Sequence, residues 1–237
     1  MSELVSDETL ENSAIVANCR MNRERELTGS NGYAVELGFN PLDRLRKATA
    51  NEPAPNGPVP NAPLRWLDLC CGSARALIEA AEIAEQTGLS IEIVGIDLVD
   101  MFLPSENSSL TLVAASLRNW APSDPFDLIT CVHGLHYIGD KLGLIGEVPR
   151  WLKPSGEFTA NLDLNNVWID GVSQPRSVSK VLRHAGFDYS TRTKRVSIGA
   201  GPRVQFPLDY VGADDAAGPN YTGQSAVNSH FQSKATA

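Results

Sequence analysis

The pattern of apolar and polar positions divides the chain into a helical first part and a longer part in which strands alternate with helices. Within residues 1–50, apolar side chains such as Leu10 and Ile15 recur at helical spacing, with charged residues between them. Residues 51–63 are rich in Pro and Asn and lack a core-forming run, which predicts a linker. Residues 212–237 are polar and Gly-rich, so we expect an irregular tail there.

Between residues 64 and 211, short apolar runs typical of buried strands alternate with amphipathic runs typical of helices. The predicted strands are, in order, LRWLDL, IEIVGID, LTLVAAS, FDLITCV, GEFTANLDL, FDYSTRTKRVSI and RVQFPLDYV. Strands that alternate with helices indicate an α/β protein with a doubly wound, mostly parallel sheet. The segment LVDMFLPSENSS, between the second and third runs, is short for a crossover helix and is expected to be irregular or to form one helical turn. Only the segment GAGP separates the last two runs, so we expect them to pair antiparallel, since a parallel pair needs a crossover of about a dozen residues.

The composition suits one globular domain with an extension. The chain has 237 residues, of which 42% are hydrophobic, and its net charge is -8. An acidic chain repels phosphate backbones, so nucleic acid is not an expected partner, and the basic stretches at residues 20–25 and 192–195 are interpreted as solvated faces. No apolar run approaches the roughly 18 residues of a membrane span, and the N-terminus lacks the pattern of a signal peptide. We therefore expect a cytoplasmic protein that contacts no membrane, as a monomer or a homodimer.

The four cysteines, Cys19, Cys70, Cys71 and Cys131, do not form a metal-binding pattern. No CxxC pair is present, which makes a structural zinc site improbable. Few and scattered cysteines in a chain of this length indicate a reducing compartment. We expect no metal and no disulfide framework.

The loop after the first predicted strand, residues 68–75, carries small residues where an open sheet binds nucleotide-type ligands. A dinucleotide-binding G-x-G-x-x-G pattern would fall on Cys70, Gly72 and Arg75, and only Gly72 fits. The shorter pattern D-x-G-x-G-x-G falls on Cys70, Gly72 and Ala74, which are all small. The loop is therefore either a cofactor loop or a tightly packed corner between a strand and a helix.

Two further strand ends carry candidate chemistry. Asp97 ends the second strand, where a carboxylate can accept hydrogen bonds from a ribose diol or can simply cap a helix. His133 and His136 follow the fourth strand, and either could act as a general base because histidine titrates near neutrality. The alternative is that both rings pack and hydrogen-bond locally. His184, within the LRHAG run, is interpreted as structural.

In this order the motifs resemble those of class I S-adenosylmethionine-dependent methyltransferases. The chain offers WLDLCCGSA, IVGID, FDLITCVHGLHYI, WLKPSGEF and LRHAGF, over about residues 64–210. The resemblance implies a seven-stranded sheet with an antiparallel last strand, and S-adenosylmethionine as cofactor. It implies that residues 68–74 cradle the methionine half of the cofactor, that Asp97 binds the ribose, and that Leu98 lies beside the adenine. Ser116 would replace a family Asp near the adenine amine, with Leu117 against the ring. The cofactor-binding residues implied in this way are Asp68, Cys70, Gly72, Ser73, Ala74, Asp97, Leu98, Ser116, Leu117 and His133.

Within this family the sequence favours a small-molecule acceptor. Nucleic-acid amine methyltransferases often carry [DNS]-P-P-[YF] after the fourth strand, where this chain has residues 131–134, CVHG. The N-terminal extension resembles the lids of small-molecule enzymes, with Tyr33, Arg20 and Arg23 as candidates for contacting cofactor or substrate. Asn165 and Trp168, in the loop after the fifth strand, are candidate substrate contacts.

The expected reaction is an in-line displacement at a sulfonium methyl group by an oxygen, nitrogen or carbon nucleophile. Alignment and a dry pocket supply most of the catalysis, and His133 or His136 removes a proton where the nucleophile requires it. Two alternatives stay open. The protein could bind S-adenosylmethionine without transferring methyl, as a cyclisation catalyst or a non-catalytic partner subunit. It could also be a nicotinamide oxidoreductase, although Arg75 disfavours that hypothesis.

Overall fold

The computed structural model describes residues 4–17, 24–50 and 62–234, which form two sheets and seven α-helices. The strands are β1 (Leu64–Leu69), β2 (Ile91–Asp97), β3 (Leu110–Ala114), β4 (Phe126–Cys131), β5 (Leu152–Asn161), β6 (Val167–Ile169), β7 (Val172–Ser173), β8 (Asp188–Ser190), β9 (Arg195–Gly199), β10 (Leu208–Asp214) and β11 (Asn228–Ser233). The helices are α1 (Asp7–Glu11), α2 (Ala14–Ala17), α3 (Tyr33–Leu37), α4 (Pro41–Ala50), α5 (Arg75–Gln86), α6 (Lys141–Glu147) and α7 (Pro175–His184). Short 3₁₀ turns span Gly134–Tyr137, Val148–Trp151 and Leu164–Asn166.

The main sheet has seven strands in the order β3-β2-β1-β4-β5-β9-β8. The strands from β3 to β5 are parallel to one another, and β9 runs antiparallel between β5 and β8. This confirms the doubly wound, mostly parallel sheet whose last strand is antiparallel. The link between β2 and β3, residues 98–109, contains no helix, as its length predicts.

The main sheet is covered on both faces, because successive side chains of a strand point to opposite sides. Along β1, Trp66 belongs to one apolar cluster and Leu67 to the other, and both are fully buried. Leu77 of α5 packs into the Trp66 cluster, whereas Leu142 of α6 and Leu182 of α7 pack into the Leu67 cluster. These two layers fix the carboxyl ends of β1, β2 and β4 side by side.

The predicted hairpin between the last two runs is wrong in its position. The single run FDYSTRTKRVSI forms both β8 and β9, because the polar residues 191–194 turn the chain within it. Lys194 adopts a φ of +53° in that turn, and the hydroxyl of Ser190 accepts a hydrogen bond from the Thr193 amide over 3.3 Å. The GAGP segment follows β9, and the run after it leaves the main sheet.

The expected irregular tail, residues 212–237, instead contributes β11 and the end of β10 to a second sheet, ordered β10-β11-β6-β7. Its strand β11 contains mostly polar residues, so only its pairing partners identify it as a strand. Lys141 of α6 ties this sheet to the main one, since its buried Nζ donates to the carbonyl of Val227 over 2.7 Å and to the hydroxyl of Ser229 over 3.0 Å. The two sheets are therefore joined beside the 3₁₀ turn that follows β4.

The N-terminal segment, residues 4–17, packs against the second sheet. The amide of Val5 donates to the carbonyl of Ala213 over 2.8 Å, and Asp7 accepts a hydrogen bond from the hydroxyl of Tyr210. Leu10 is buried against Ala213 and Val227. As a result, α1 lies beside the carboxyl ends of the main sheet.

Candidate functional site

A cavity of about 510 Å³ lies at the carboxyl ends of β1, β2 and β4, bounded on another side by the N-terminal segment. Its size is that of a pocket for a small molecule or cofactor. The position is where an open parallel sheet binds ligands. Six of the residues predicted for the cofactor line it: Cys70, Gly72, Asp97, Leu98, Leu117 and His133.

The loop after β1 has a backbone shape that explains its small residues. Cys70, Gly72 and Ala74 have φ angles of +59°, +60° and +61°, all in the left-handed region. Each non-glycine residue there costs about 1–3 kcal/mol. Cys70 finds room because Gly134 stands opposite, where an added Cβ would lie 2.3 Å from the Cβ of Cys70. The loop thus keeps the left-handed backbone that favours glycine, although two of the three positions are not glycine. The absence of a side chain at Gly134, after β4, leaves room for the thiol of Cys70.

Asp97 joins the loop after β1 to the end of β2. Its Oδ2 accepts a hydrogen bond from the amide of Gly72 over 2.9 Å, and its Oδ1 accepts one from the amide of Val99 over 3.2 Å. Both oxygens of a carboxylate are acceptors, which is the chemistry that the hydroxyls of a ribose require. The donor and acceptor chemistry at the cavity wall therefore fits the cofactor that the sequence resemblance implies.

Asp68 lies behind the loop rather than at the cavity. The side chain is fully buried, and it accepts hydrogen bonds from the hydroxyls of Tyr33 over 2.7 Å and Thr130 over 2.5 Å. Burial raises the pKa of Asp68 to about 7, although both hydroxyls oppose this rise. Ser73 and Ala74 are also absent from the cavity lining among the described residues. These three residues therefore belong to the loop and the strand before it but do not face the cavity.

Ser116 is held by a residue that the sequence did not suggest. Its hydroxyl donates to Oε1 of Glu11 over 2.6 Å and accepts a hydrogen bond from the amide of Arg118 over 3.2 Å. Glu11 lines the cavity, together with Leu98 and Leu117, whereas Ser116 does not. The contact joins residues 105 positions apart, so no local sequence pattern could reveal it.

His133 lines the cavity and contacts three other polar side chains. It follows β4 with a φ of +59° and is 1% exposed. Its Nε2 lies 2.9 Å from Oε2 of Glu36, an ion-pair distance although the N–H does not point at that oxygen. Its Nδ1 lies 3.4 Å from both the hydroxyl of Tyr221 and Nε2 of His136. Sequence reasoning found the histidine but missed Glu36 and Tyr221, which come from distant parts of the chain.

Glu36 is fixed between the guanidinium of Arg25 and the imidazole of His133. Its Oε1 accepts a hydrogen bond from Nη1 of Arg25 over 2.9 Å, on the side opposite to its contact with His133. Burial raises the pKa of Glu36, but the contacts with His133 and Arg25 outweigh it, so the pKa lies below its ordinary value. The carboxylate therefore stays ionised beside the imidazole.

His136 lies behind His133, away from the cavity. It is fully buried, and its Nδ1 has no hydrogen-bond partner among the described residues. Burial, followed by the charge of His133, lowers the pKa of His136 well below its ordinary value. A neutral ring in this position packs against His133 and Tyr221.

The residues predicted to contact substrate lie elsewhere in the described structure. Tyr33 is buried and its hydroxyl is bonded to Asp68. Asn165 is exposed beside β6, and the half-buried ring of Trp168 lies 5.4 Å from that of His230 in the second sheet. None of the three lines the cavity. Arg20 and Arg23 lie outside the described residues.

A further wall of the cavity combines aromatic and charged side chains. The rings of Trp120 and Trp151 meet edge to face at 6.3 Å, and the buried indole N–H of Trp151 has no partner within the described part of the chain. Glu147 pairs with Arg150 over 2.8 Å and with Arg203 over 2.5 Å. All five line the cavity, and none was predicted because they come from three separate segments.

Three observations concern metals, thiols and membranes. In residues 4–17, 24–50 and 62–234, no group of three or more His, Cys, Asp or Glu could hold a metal ion. Cys70, Cys71 and Cys131 are free thiols. No helix in the described ranges is both long and apolar enough to cross a membrane.

Comparisons with known proteins give one family match and several distant structural likenesses. No curated protein matches the chain. Solved structures include the plantazolicin methyltransferase BpumL in complex with SAH (16% identity, 56% of this chain and 47% of that chain, TM-score 0.38) and the citrinin polyketide synthase CMeT domain (14%, 61% and 48%, 0.44). A third is the [4+2]-cyclase SpnF (16%, 79% and 76%, 0.47). The chain thus spans about half the length of the first two. A family model described as "Methyltransferase domain" matches residues 42–180.

Proposed function

The chain belongs to the methyltransferase domain family, whose model matches more than half of it, and on that premise we propose that it transfers a methyl group from S-adenosylmethionine to a small molecule. The fold is that of class I methyltransferases, which use S-adenosylmethionine as methyl donor. The observation that carries the proposal is the junction of Gly72 and Asp97 at the wall of a cavity large enough for a cofactor. The nucleophile is an oxygen, nitrogen or carbon atom of the acceptor.

The cofactor would be held by the two loops that this junction connects. Asp97 accepts the ribose hydroxyls, and the loop through Cys70 and Gly72 borders the methionine half. Leu98 and Leu117 supply the apolar walls for the adenine ring, because both line the cavity beside Asp97. Asp68, Ser73 and Ala74 belong to the same stretch and stay proposed cofactor contacts, although they do not line the cavity.

The cofactor supplies a methyl group on a sulfonium sulfur, an electrophile that needs no further activation. The chain contributes alignment and exclusion of water, which together lower the barrier of a displacement. The N-terminal segment excludes water, because Leu10 and Val16 are buried and also line the cavity. We propose that this segment acts as the lid.

His133 would remove the proton of an acceptor that needs deprotonation. With the proton of the neutral ring on Nε2, beside the carboxylate of Glu36, Nδ1 keeps its lone pair and can accept a proton. Glu36 then stabilises the imidazolium, because an ionised carboxylate lies 2.9 Å from Nε2. Tyr221, whose hydroxyl lies 3.4 Å from Nδ1, does not line the cavity and would help to orient the ring. His136 would orient the His133 ring rather than meet the acceptor.

A small-molecule acceptor is supported by the size and lining of the cavity. Its walls combine the indoles of Trp120 and Trp151 with charged side chains, a mixture typical of sites for organic ligands. The net charge of -8 disfavours nucleic acid. Tyr33, Asn165 and Trp168 stay as proposed substrate contacts, although none of the three lines the cavity. The free thiols support a reducing compartment, which we propose to be the cytoplasm. We also propose a homodimer, which light scattering would test.

The test is to incubate the protein with S-adenosylmethionine carrying a labelled methyl group and fractions of a small-molecule extract. We expect S-adenosylhomocysteine and a labelled small molecule to form together, in equal amounts. The second candidate is binding without transfer, favoured by Cys70 and Ala74 in place of glycines. Turnover of an acceptor without any S-adenosylhomocysteine would support that candidate and overturn methyl transfer.

A further inference from the structure

We propose that Glu11 recognises the exocyclic amine of the cofactor's adenine and thereby sets the specificity of the site for an adenine base. This inference rests on the proposed function, since it assigns a residue to the same cofactor. It moves the role that the sequence resemblance gives to Ser116 onto a carboxylate from the N-terminal segment.

The geometry around Ser116 carries the inference. Ser116 follows β3, does not line the cavity, and donates its hydroxyl proton to Oε1 of Glu11 over 2.6 Å. Its oxygen also accepts from the amide of Arg118. The Ser116 oxygen therefore already accepts one hydrogen bond, and the side chain does not reach the cavity, whereas Glu11 itself lines it.

The chemistry of Glu11 matches that of an adenine edge. An ionised carboxylate is an acceptor only, and it has about four lone-pair sites. Ser116 occupies one of them, and the Oε2 atom lies 3.8 Å from Nη1 of Arg118. Sites remain for an amine that donates two hydrogen bonds. The neighbouring apolar wall, formed by Leu98 and Leu117, suits the faces of a flat base.

The position of Glu11 is fixed by the rest of the fold. It ends α1, whose first turn is capped by the hydroxyl of Ser6. Leu10, the adjacent residue, is buried against Ala213 and Val227 of the second sheet. The Val5–Ala213 backbone pair and the Asp7–Tyr210 hydrogen bond hold the same helix. Glu11 is therefore presented by a docked element, and the second sheet contributes to base recognition by holding α1 in place.

A pair of cofactor analogues tests the assignment. S-Inosylhomocysteine carries a carbonyl oxygen where S-adenosylhomocysteine carries the amine, so it presents an acceptor to the acceptor of Glu11. The wild type should bind the adenosyl compound at least about tenfold more tightly, because the inosyl compound leaves the carboxylate facing another acceptor. In Glu11→Gln the amide can donate to that carbonyl, so the preference should fall about tenfold or reverse. Binding is measured by calorimetry on the full chain.

Two further variants make the result decisive. Glu8→Gln changes an exposed carboxylate on the same helix and should leave the preference unchanged. Glu11→Asp keeps the charge but shortens the side chain, so it should also lose selectivity, and it serves if Glu11→Gln does not fold. An unchanged preference in the folded Glu11 variant overturns the role of Glu11. Failure of the wild type to bind S-adenosylhomocysteine at all contradicts the proposed function instead.

Discussion

The carboxylate of Asp97 accepts a hydrogen bond from the backbone amide of Gly72 over 2.9 Å, so the end of β2 and the loop after β1 form one structural unit. The amide of Val99 binds the other oxygen of the same carboxylate. The Asp97 side chain thus shapes the loop after β1, which would hold the methionine half of the cofactor. The same side chain would contact the ribose, which joins that half to the adenine.

Asp97→Asn should weaken cofactor binding by about ten- to a hundredfold. An amide has one acceptor oxygen, so it cannot satisfy both backbone amides, and a hydrogen bond to a charged group contributes about 1.5–3 kcal/mol. The measurement is the rise in melting temperature on adding S-adenosylhomocysteine, which reports binding to the folded state. Asp100→Asn, an exposed neighbour, is the control and should keep the full rise. An equal rise in Asp97→Asn would show that this carboxylate does not meet the ligand.

The sequence was sufficient to predict the main sheet and to assign Gly72 and Asp97 to one site, because both residues lie at the ends of consecutive strands. The hydrogen bond between them comes from the structure. Gly72 and Asp97 are 25 positions apart, and each ends or follows a strand. Glu11, Glu36 and Tyr221 were missed because their partners lie 105, 97 and 88 positions away. Their helices and loops show no chemical pattern of their own, and only tertiary packing brings them to the site.

The second sheet was missed for a related reason. Strand β11 has one large apolar residue, Phe231, in six positions, so its local pattern resembles a loop. Its strand state comes from pairing with β10 on one side and β6 on the other. The hairpin of β8 and β9 was predicted too late in the chain. Strand β8 is only three residues long, and the polar turn after it continues the alternation of apolar and polar positions, so both strands resemble a single one.

Gly134→Ala should destabilise the wild type by about 2 kcal/mol or more, because its new Cβ would lie 2.3 Å from the Cβ of Cys70. The cost should fall by more than about 1 kcal/mol when Cys70→Gly is also present, since both clashing atoms of Cys70 are then gone and only the 2.9 Å approach to the Sγ of Cys131 remains. Cys70→Gly alone should stay within about 1 kcal/mol of wild type, because relief of the left-handed strain offsets lost packing. Denaturant unfolding of the four proteins measures this cycle.

Gly201→Ala is the matched control, since no atom lies within 4 Å of its added Cβ. It should be nearly neutral. Both Cys70→Gly and Cys71→Ser should also keep cofactor binding. An identical cost of Gly134→Ala in both backgrounds would mean that Cys70 and Gly134 do not compensate each other.

Asp68 should make the folded protein progressively less stable as the pH rises from about 4 to about 7. Burial raises the pKa of Asp68 from its ordinary value of 3.8 to about 7, so the native state holds a proton that the unfolded chain releases above pH 3.8. The stabilisation is complete below about pH 4 and is lost as the pH rises through 7. Between those two pKa values, the free energy of unfolding falls by about 1.4 kcal/mol for each pH unit. Unfolding free energies of wild type and Asp68→Asn, measured from pH 4 to 8, should diverge. Parallel curves would contradict the buried proton.

His133→Ala should lower turnover about a hundredfold or more, the usual range for a lost general base. Glu36→Gln should lower kcat about tenfold with little change in KM, because a neutral amide stabilises the imidazolium less than a carboxylate does. Glu24→Gln, an exposed position, is the control. Near-full turnover of His133→Ala at every pH would remove the base assignment, and a drop confined to KM in Glu36→Gln would make Glu36 a binding residue.

The most direct test of the central claim is calorimetry of the wild-type protein with S-adenosylhomocysteine and, separately, with NADH. We expect S-adenosylhomocysteine to bind with one site per chain and NADH not to bind, because Arg75 occupies the third glycine position of a dinucleotide loop. Binding of NADH without binding of S-adenosylhomocysteine would contradict the account.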